Sequence, residues 1–420
     1  LILLDSVRNV ADLIFSPEMT SLIFLLFGKK EADILKVWLT RATLYVTKVL
    51  AETAEGDLDE EFEDFLKCLQ KSLNLPVWKF VSKSMLNSQL EVILNNSWIN
   101  NLNVLKYATW IVISGSKNVI ECTKLVNILL NNPNNSLGLG GESVKEVNLE
   151  ETKFYISLIL SFLFKMNINQ LSRFDLLFKI AKLYRGTTQP CDLVLKDLLV
   201  SIEEVSGESW IQLVSNWDLV DEWLPADSNG DNAAADAIIT KAPEMIIETP
   251  GLQDCLTVTL HKSIVEATVK NFDPSTRSIR LPKLENTIHT HAQDFNKLEE
   301  FYLCKKVDTE EIEHRVMYDC EFILLLIVNN EDLFKFSGDH VTVNIRALIS
   351  TWLLQLTICG LAHEVKDVQE ISKRIISSVI LTVEDDIRTI ESKREQKPAK
   401  SASPPENAGA AISTFKERSA

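Results

Sequence analysis

The sequence contains few of the residues that a β-rich protein needs. Only 13 of its 420 residues are glycine and 12 are proline. Tight turns between strands depend on these two residue types, and alternating apolar and polar runs are also scarce. The composition therefore argues against a β-sandwich or a barrel.

Long apolar runs and paired cysteines are missing as well. The longest apolar stretches, residues 156–164 and 322–328, are well short of the ~20 residues that span a bilayer. The seven cysteines are so widely spread that no CxxC motif or secreted-type disulfide framework exists. We therefore expect no membrane association and a reducing compartment, in which free cysteines pack as small hydrophobes.

Basic residues are outnumbered, with 43 Lys and Arg against 59 Asp and Glu and a net charge of −16. A general nucleic-acid coat would be basic, because its affinity comes largely from neutralising phosphates. The charge is uneven, however: acids crowd residues 52–64 and basic residues recur over 388–400. Such runs are usually solvated surface.

No group of residues carries recognisable chemistry. His289 and His291 form a pair, but no second pair of ligands lies nearby in sequence. The acidic segment that begins at Asp227 resembles a calcium loop but lacks its glycine and its final glutamate. The glycines around Gly140 are not followed by the lysine of a phosphate loop. We therefore expect no enzyme activity, cofactor, metal or small-molecule substrate.

Amphipathic segments are abundant. Stretches of roughly 12 to 20 residues with apolar positions every three or four recur along the chain to about residue 390, which indicates helices stacked on helices. Helix pairs recur without a fixed period, as in degenerate arrays. The eight tryptophans follow the same spacing without interleaved basic residues, so we expect core packing and not stacking on bases. The predicted fold is all-α, an α-solenoid of degenerate HEAT/armadillo-like helical repeats with irregular loops.

Breaks in this pattern divide the chain. The chain begins inside an apolar run, and we expect it to be a segment of a longer protein. Within it, single helices are predicted over residues 208–223, 256–270 and 341–361, and a short strand-like piece over 245–247. The expected divisions are helical repeats at 1–130, a loop at 131–149, helical repeats at 150–224, an acidic linker at 225–252, helical repeats at 253–390 and a disordered tail or linker at 391–420.

Two stretches and the loop between them resemble a known family. In residues 171–204, Ser172 and Asp175 open a helix that ends near Leu183-Tyr184-Arg185-Gly186. In residues 315–380, the motif Tyr318-Asp319-Cys320-Glu321-Phe322 precedes an apolar helix, and residues 359–364 follow. With the loop 271–282, these residues resemble the nucleolar pre-ribosome-associated protein family, although Cys320 stands where the family has proline. The resemblance covers roughly residues 150–385.

The resemblance implies a non-enzymatic scaffold of early large-subunit (pre-60S) ribosome assembly in the nucleolus. Its implied partners are precursor large-subunit rRNA and other assembly factors, including a DEAD-box helicase. An acidic protein can still bind RNA if basic side chains line one groove. The acidic charge favours the alternative, a protein-only α-solenoid adaptor in transport or trafficking. The candidate RNA contacts are Arg277, Arg280, Lys393, Arg394, Lys397 and Lys400.

Overall fold

The chain folds mainly into helices. A computed structural model describes residues 32–53, 58–72, 81–114, 120–133, 135, 137, 149–172, 174–207, 209–211, 216–220, 257–274, 297–300, 316–330, 333–337 and 340–395. The helices in these ranges are α1 Ala32–Glu52, α2 Glu60–Ser72, α3 Lys83–Asn95, a 3₁₀ turn at Ser97–Asn100, α4 Leu102–Ser114, α5 Cys122–Asn131, α6 Leu149–Met166, α7 Ile168–Leu171, α8 Phe174–Leu183, α9 Pro190–Ser206, α10 Lys262–Lys270, α11 Cys320–Asn329, α12 Ile345–Ser350, α13 Leu353–Gly360 and α14 Lys366–Glu395.

Local signals fix several of these helix ends. Helix α9 begins with Pro190, whose missing N–H costs nothing at the first helical position. It ends at Gly207, which has a φ of 73° and donates its N–H to the carbonyl of Glu203. At the start of α11, the Asp319 carboxylate accepts hydrogen bonds from the amides of Glu321 and Phe322. These ends are set by the sequence itself.

The N-terminal helices pack in alternation. Helix α1 contacts α3 and α3 contacts α5, while α2 contacts α4 and α4 contacts α6. Helix α6 also contacts α5 and α9, and nearly all of its side chains from Thr152 to Phe164 are buried. A helix that is apolar on all sides must be enclosed. Each of α1 to α4 therefore packs on the helix two places later in the chain, and α6 lies inside.

The tryptophans confirm the core prediction wherever their side chains are described. Trp38, Trp98, Trp110 and Trp210 are buried, and Trp352 is partly buried against the core. The indole N–H of Trp98 donates to the backbone carbonyl of Leu50 at 2.6 Å. A buried indole needs such an acceptor. The bond joins the end of α1 to the 3₁₀ turn before α4.

The prediction of one helix over 208–223 was wrong, and that of another over 256–270 was wrong in its first residues. Strands β1 (Asn216–Val220) and β2 (Thr257–His261) form a parallel pair, and the helix α10 starts only at Lys262. Strand β2 begins with three consecutive β-branched residues, Thr257, Val258 and Thr259, which favour strands. Its partner lies 41 residues earlier in register, so no local period could reveal the pairing. The fold is therefore mostly helical and not all-α.

The single helix predicted over 341–361 was also wrong. Strands β3 (Phe334–Ser337) and β4 (His340–Val343) form an antiparallel hairpin, and α12 and α13 follow as two short helices. They are separated at Trp352, whose φ of 64° places it in the left-handed region that helices exclude. The backbone N–H of Val343 donates to the Thr382 hydroxyl at 3.2 Å, so tertiary contact with α14 holds the hairpin.

The last helix is longer than expected. It runs to Glu395 and so includes the first residues of the segment 391–420, which we predicted to be a disordered tail or linker. The acidic linker 225–252 and the strand-like piece at 245–247 lie outside the described residues. Over the ranges that the structure describes, no helix is long and apolar enough to cross a membrane.

Candidate functional site: the Tyr318 junction

Three segments that are distant in sequence meet around Tyr318. Thr187 and Tyr318 form an antiparallel β-bridge. On either side of it, the amide of Asp319 donates to the carbonyl of Gly186 at 2.7 Å, and the amide of Thr188 donates to the carbonyl of Met317 at 2.9 Å. We call this meeting of the 184–192 turn, α10 and residues 316–322 the Tyr318 junction.

Tyr318 uses both its backbone and its side chain to hold the junction. Its amide donates to the Thr268 hydroxyl at 2.9 Å, and its phenolic oxygen accepts from the backbone N–H of His261 at 3.1 Å. The residue is only 4% exposed. Burial raises the pKa of Tyr318 to about 12, so the phenol is neutral at physiological pH and acts as a structural tie.

Gly186 allows an aromatic cluster to close over the turn. Its φ is +73°, and a Cβ added to it would lie 2.1 Å from Cε1 of Phe322. The Phe322 ring meets Tyr184 edge-on with centroids 5.1 Å apart, and stacks on Trp210 at 6.0 Å. Such pairs stabilise a core beyond their area burial. Only glycine fits here, because both the backbone conformation and the space require it.

Asp192 stabilises the same turn through hydrogen bonds. Its carboxylate is buried and accepts hydrogen bonds from the Thr187 amide at 3.0 Å and the Thr187 hydroxyl at 2.5 Å, and from the Arg185 amide at 3.4 Å. Burial raises the pKa of Asp192, against the opposing effect of the hydrogen bonds from Thr187. The carboxylate therefore orders the turn that precedes α9.

Lys196 joins α9 to the start of α11. Its ammonium donates to Asp319 Oδ2 and to Glu321 Oε2, each at 2.6 Å. Its side chain is only 15% exposed. Burial lowers the pKa of Lys196, but the attraction of Asp319 and Glu321 outweighs it, and the net pKa is raised. Asp319 therefore serves both as the cap of α11 and as half of an ion-pair network.

A cleft of about 290 Å³ opens beside this network. Five carboxylates line it against the single lysine Lys196, and Leu193, Val200, Phe272 and Val368 supply apolar wall. A cleft with this balance of charge repels phosphate and suits a cationic or neutral group. The carboxylates are those of Asp197, Asp273, Asp319, Glu321 and Asp367.

Burial keeps the two described cysteines of the junction in the thiol form. Cys320 lines the cleft, but burial raises its pKa to about 12, and burial also raises the pKa of Cys191 well above its usual range. The thiolate is the reactive form of cysteine, so neither is a nucleophile at neutral pH. Among the described residues, no group of three or more His, Cys, Asp and Glu side chains could hold a metal. The arrangement locks three segments together.

Comparison with known proteins identifies a relative. Nucleolar pre-ribosomal-associated protein 1 of Saccharomyces cerevisiae is 26% identical over 357 residues, which cover 83% of this chain and 19% of the relative. The chain is a distant homologue of this protein. The resemblance found in the sequence is thus confirmed. No family model matches the chain. No solved structure gives a significant match either.

The chain spans about a fifth of the length of nucleolar pre-ribosomal-associated protein 1, since the match covers 19% of it. The residues that suggested this homology, Tyr318-Asp319 and Tyr184-Arg185-Gly186, come together at the Tyr318 junction. The sequence therefore located the motifs. It missed Lys196 and Thr268, whose partners lie on other elements, and Asp192, whose partners Thr187 and Arg185 lie only five and seven residues earlier. The buried face of α9 was the only signal for Lys196 and Asp192.

The predicted RNA contacts are not brought together by the described structure. Lys393 is exposed on α14, and Arg394 is the next residue of that helix. Arg277, Arg280, Lys397 and Lys400 lie outside the described residues. The six residues therefore stay a prediction.

Proposed function

We propose that the chain is a non-enzymatic scaffold segment in early large-subunit (pre-60S) ribosome assembly in the nucleolus. The observation that carries the proposal is the homology to nucleolar pre-ribosomal-associated protein 1, which extends over 83% of this chain. Similarity over so much of the chain concerns the fold as a whole and not one short motif. A role in ribosome biogenesis follows from the homology; the stage and the compartment are our proposal.

The packing of the helices supports a scaffold. In an α-solenoid each repeat contacts its neighbours, and the array offers long surfaces to partners. The contacts of α1 with α3 and of α2 with α4 fit such an array. We therefore propose degenerate HEAT/armadillo-like repeats within 1–130, 150–224 and 253–390.

The Tyr318 junction supports the same role. Its hydrogen bonds and its ion pairs fix α9, α10 and α11 relative to one another. A rigid junction keeps the surfaces on its two sides in a fixed relative orientation, so that partners bound to them are held in a constant arrangement. The charged residues of the network contribute to this rigidity, because the carboxylates of Asp319 and Glu321 both pair with the ammonium of Lys196.

We further propose that the protein contacts precursor large-subunit rRNA and other assembly factors, including a DEAD-box helicase. Arg277, Arg280, Lys393, Arg394, Lys397 and Lys400 are the proposed RNA contacts. The rest of the surface is acidic overall, and would repel RNA. Binding would thus be confined to small basic areas while protein partners occupy the remainder.

The test is ultraviolet crosslinking of the full-length protein in cells, followed by sequencing of bound RNA. We expect reads concentrated on large-subunit precursor rRNA. The double variant Arg277→Ala, Arg280→Ala should reduce them several-fold, because phosphate contacts supply much of the affinity. The matched control is Lys48→Ala, Lys67→Ala, which removes two exposed lysines from α1 and α2 and should leave the reads unchanged.

A protein-only adaptor is the second candidate, and the net charge of −16 favours it. It would give no RNA reads above those of a non-binding protein, and co-purified transport or trafficking factors in place of assembly factors. That outcome would refute the scaffold of pre-60S assembly.

A further inference from the structure

Helix α14 carries a buried stripe and, beside it, an apolar stripe. The inner stripe follows the spacing 4-3-4-3 and packs on α11, α13 and β4; its residues are Val368, Ser372, Ile375, Val379 and Thr382. The outer stripe has the same spacing and, from Ile376 on, is shifted by one residue. It consists of Ile376, Ile380, Val383, Ile387 and Ile390.

The outer stripe is uncovered along most of its length. Ile376 is partly buried, but Ile380, Val383, Ile387 and Ile390 are 52%, 40%, 49% and 52% exposed. Among the described residues, the last hydrogen bond from α14 to another element is made at Thr382, whose hydroxyl bonds to both Val341 and Val343 of β4. Every residue from 383 to 393 is exposed. Helix α14 therefore projects from the body with an apolar seam on one side.

The spacing of the seam specifies what covers it. Single exposed isoleucines are ordinary, but β-branched residues repeating every 3.5 positions form the seam by which one helix packs on another. The inner stripe of α14 shows the same spacing, and two of its three partners, α11 and α13, are helices; a nucleic acid would not need that repeat. The occupant is therefore a helix.

The charges beside the seam specify the character of that helix. If Ile380 and Ile387 take the first position of each heptad, the flanking positions hold Glu384, Asp386 and Glu391, with Lys393 at the end. Charges at these positions set partner choice. Arg388 approaches Glu384 at 3.8 Å and is 73% exposed, so this pair is solvated and neutralises little.

A second copy of this chain is a poor occupant. In a parallel pair Asp386 would face Glu391 of the other copy. In an antiparallel pair Glu384 would face Glu391, and only the contact of Asp386 with Lys393 would be attractive. Both arrangements set like charges together across the seam, which disfavours pairing. A helix that places Lys or Arg at the facing positions would instead gain attraction.

We propose that the outer stripe of α14, from Ile380 to Ile390, docks an amphipathic helix of another protein that carries Lys or Arg beside its own apolar seam. The surface stands on α14 alone and does not depend on RNA binding by the chain. It gives the protein an attachment point outside its compact body.

The test places a photocrosslinking amino acid at position 390 of the full-length protein in cells and maps the crosslinked peptides by mass spectrometry. We expect peptides from a different protein that show the 4-3 apolar spacing flanked by Lys or Arg. Ile380→Ala with Ile387→Ala should lower the yield about tenfold or more, because each removes buried methylenes. Alanine favours helix, so α14 itself should persist.

Two matched controls separate docking from general effects. Val37→Ala with Leu44→Ala removes two apolar side chains of α1 that are each 54% exposed, and should leave the yield unchanged. Asp386→Lys should lower the yield, while Asp385→Lys, one position further from the seam, should alter it little.

Four results would each overturn the proposal: no crosslink, crosslinks to RNA, crosslinks to the protein's own chain or to a second copy, and a yield that the isoleucine variants leave unaltered. Loss of crosslinked rRNA in the experiment under Proposed function would not affect this outcome, so the two failures are distinguishable.

Discussion

The phenolic oxygen of Tyr318 accepts a hydrogen bond from the backbone N–H of His261 at 3.1 Å. This bond links the segment that precedes α11 to the residue before α10, across 57 positions of sequence. Because the Tyr318 amide also bonds to Thr268, one residue ties its own segment to both ends of α10.

Tyr318→Phe should destabilise the chain by about 1–2 kcal/mol, because the amide of His261 is left without its acceptor. Tyr184→Phe is the matched control, since the Tyr184 hydroxyl is buried with no hydrogen-bond partner among the described residues and its loss should be neutral or slightly stabilising. Midpoints of urea denaturation measure both. Equal effects of the two variants would contradict the role given to the bond.

Gly186→Ala should cost more than about 2 kcal/mol, because strain and a clash combine. The added Cβ would lie 2.1 Å from Phe322 and the φ is +73°. Gly207 has the same φ but nothing within 4 Å of an added Cβ, so Gly207→Ala should cost only about 1 kcal/mol. Thermal denaturation compares the two. If Gly207→Ala were the more damaging, the packing account of Gly186 would be wrong.

Lys196→Met should destabilise the chain by about 2–4 kcal/mol. The methionine keeps the apolar stem but leaves Asp319 and Glu321 largely buried without their cation. Lys67→Met removes the partner of Asp64 in an ion pair whose side chains are both about half exposed, and should change the stability by about 0.5 kcal/mol or less. Chemical denaturation of both variants beside the parent chain checks the difference.

Asp192 should give the chain a pH dependence of a particular sign. Burial raises its pKa in the folded state, so between its ordinary value of about 3.9 and the raised value the folded chain binds more protons than the unfolded one. The free energy of unfolding then falls as pH rises through this window. Relative to Asp192→Asn, the parent chain should lose stability on going upward from about pH 3.9. A difference that grows with pH over this window would show that the carboxylate is stabilised as an anion.

Helices were predictable where their own residues determine them. The end of α8 near Gly186, the start of α9 at Pro190 and the enclosed helix α6 all follow from spacing and capping residues. The motif at Tyr318-Asp319 was visible too. Its function as an ion-pair partner was not, because Lys196 lies 123 residues away from Asp319.

Sequence alone determined the local periodicity and the helix caps, because each depends on residues within one or two turns of one another. It also determined the excess of acid, which is a property of composition. Tertiary structure decided the pairing of β1 with β2, the hairpin before α12 and the assembly of the Tyr318 junction. Strand partners and buried charges gain stability only from groups that the fold brings to them, and no local period records which groups these are.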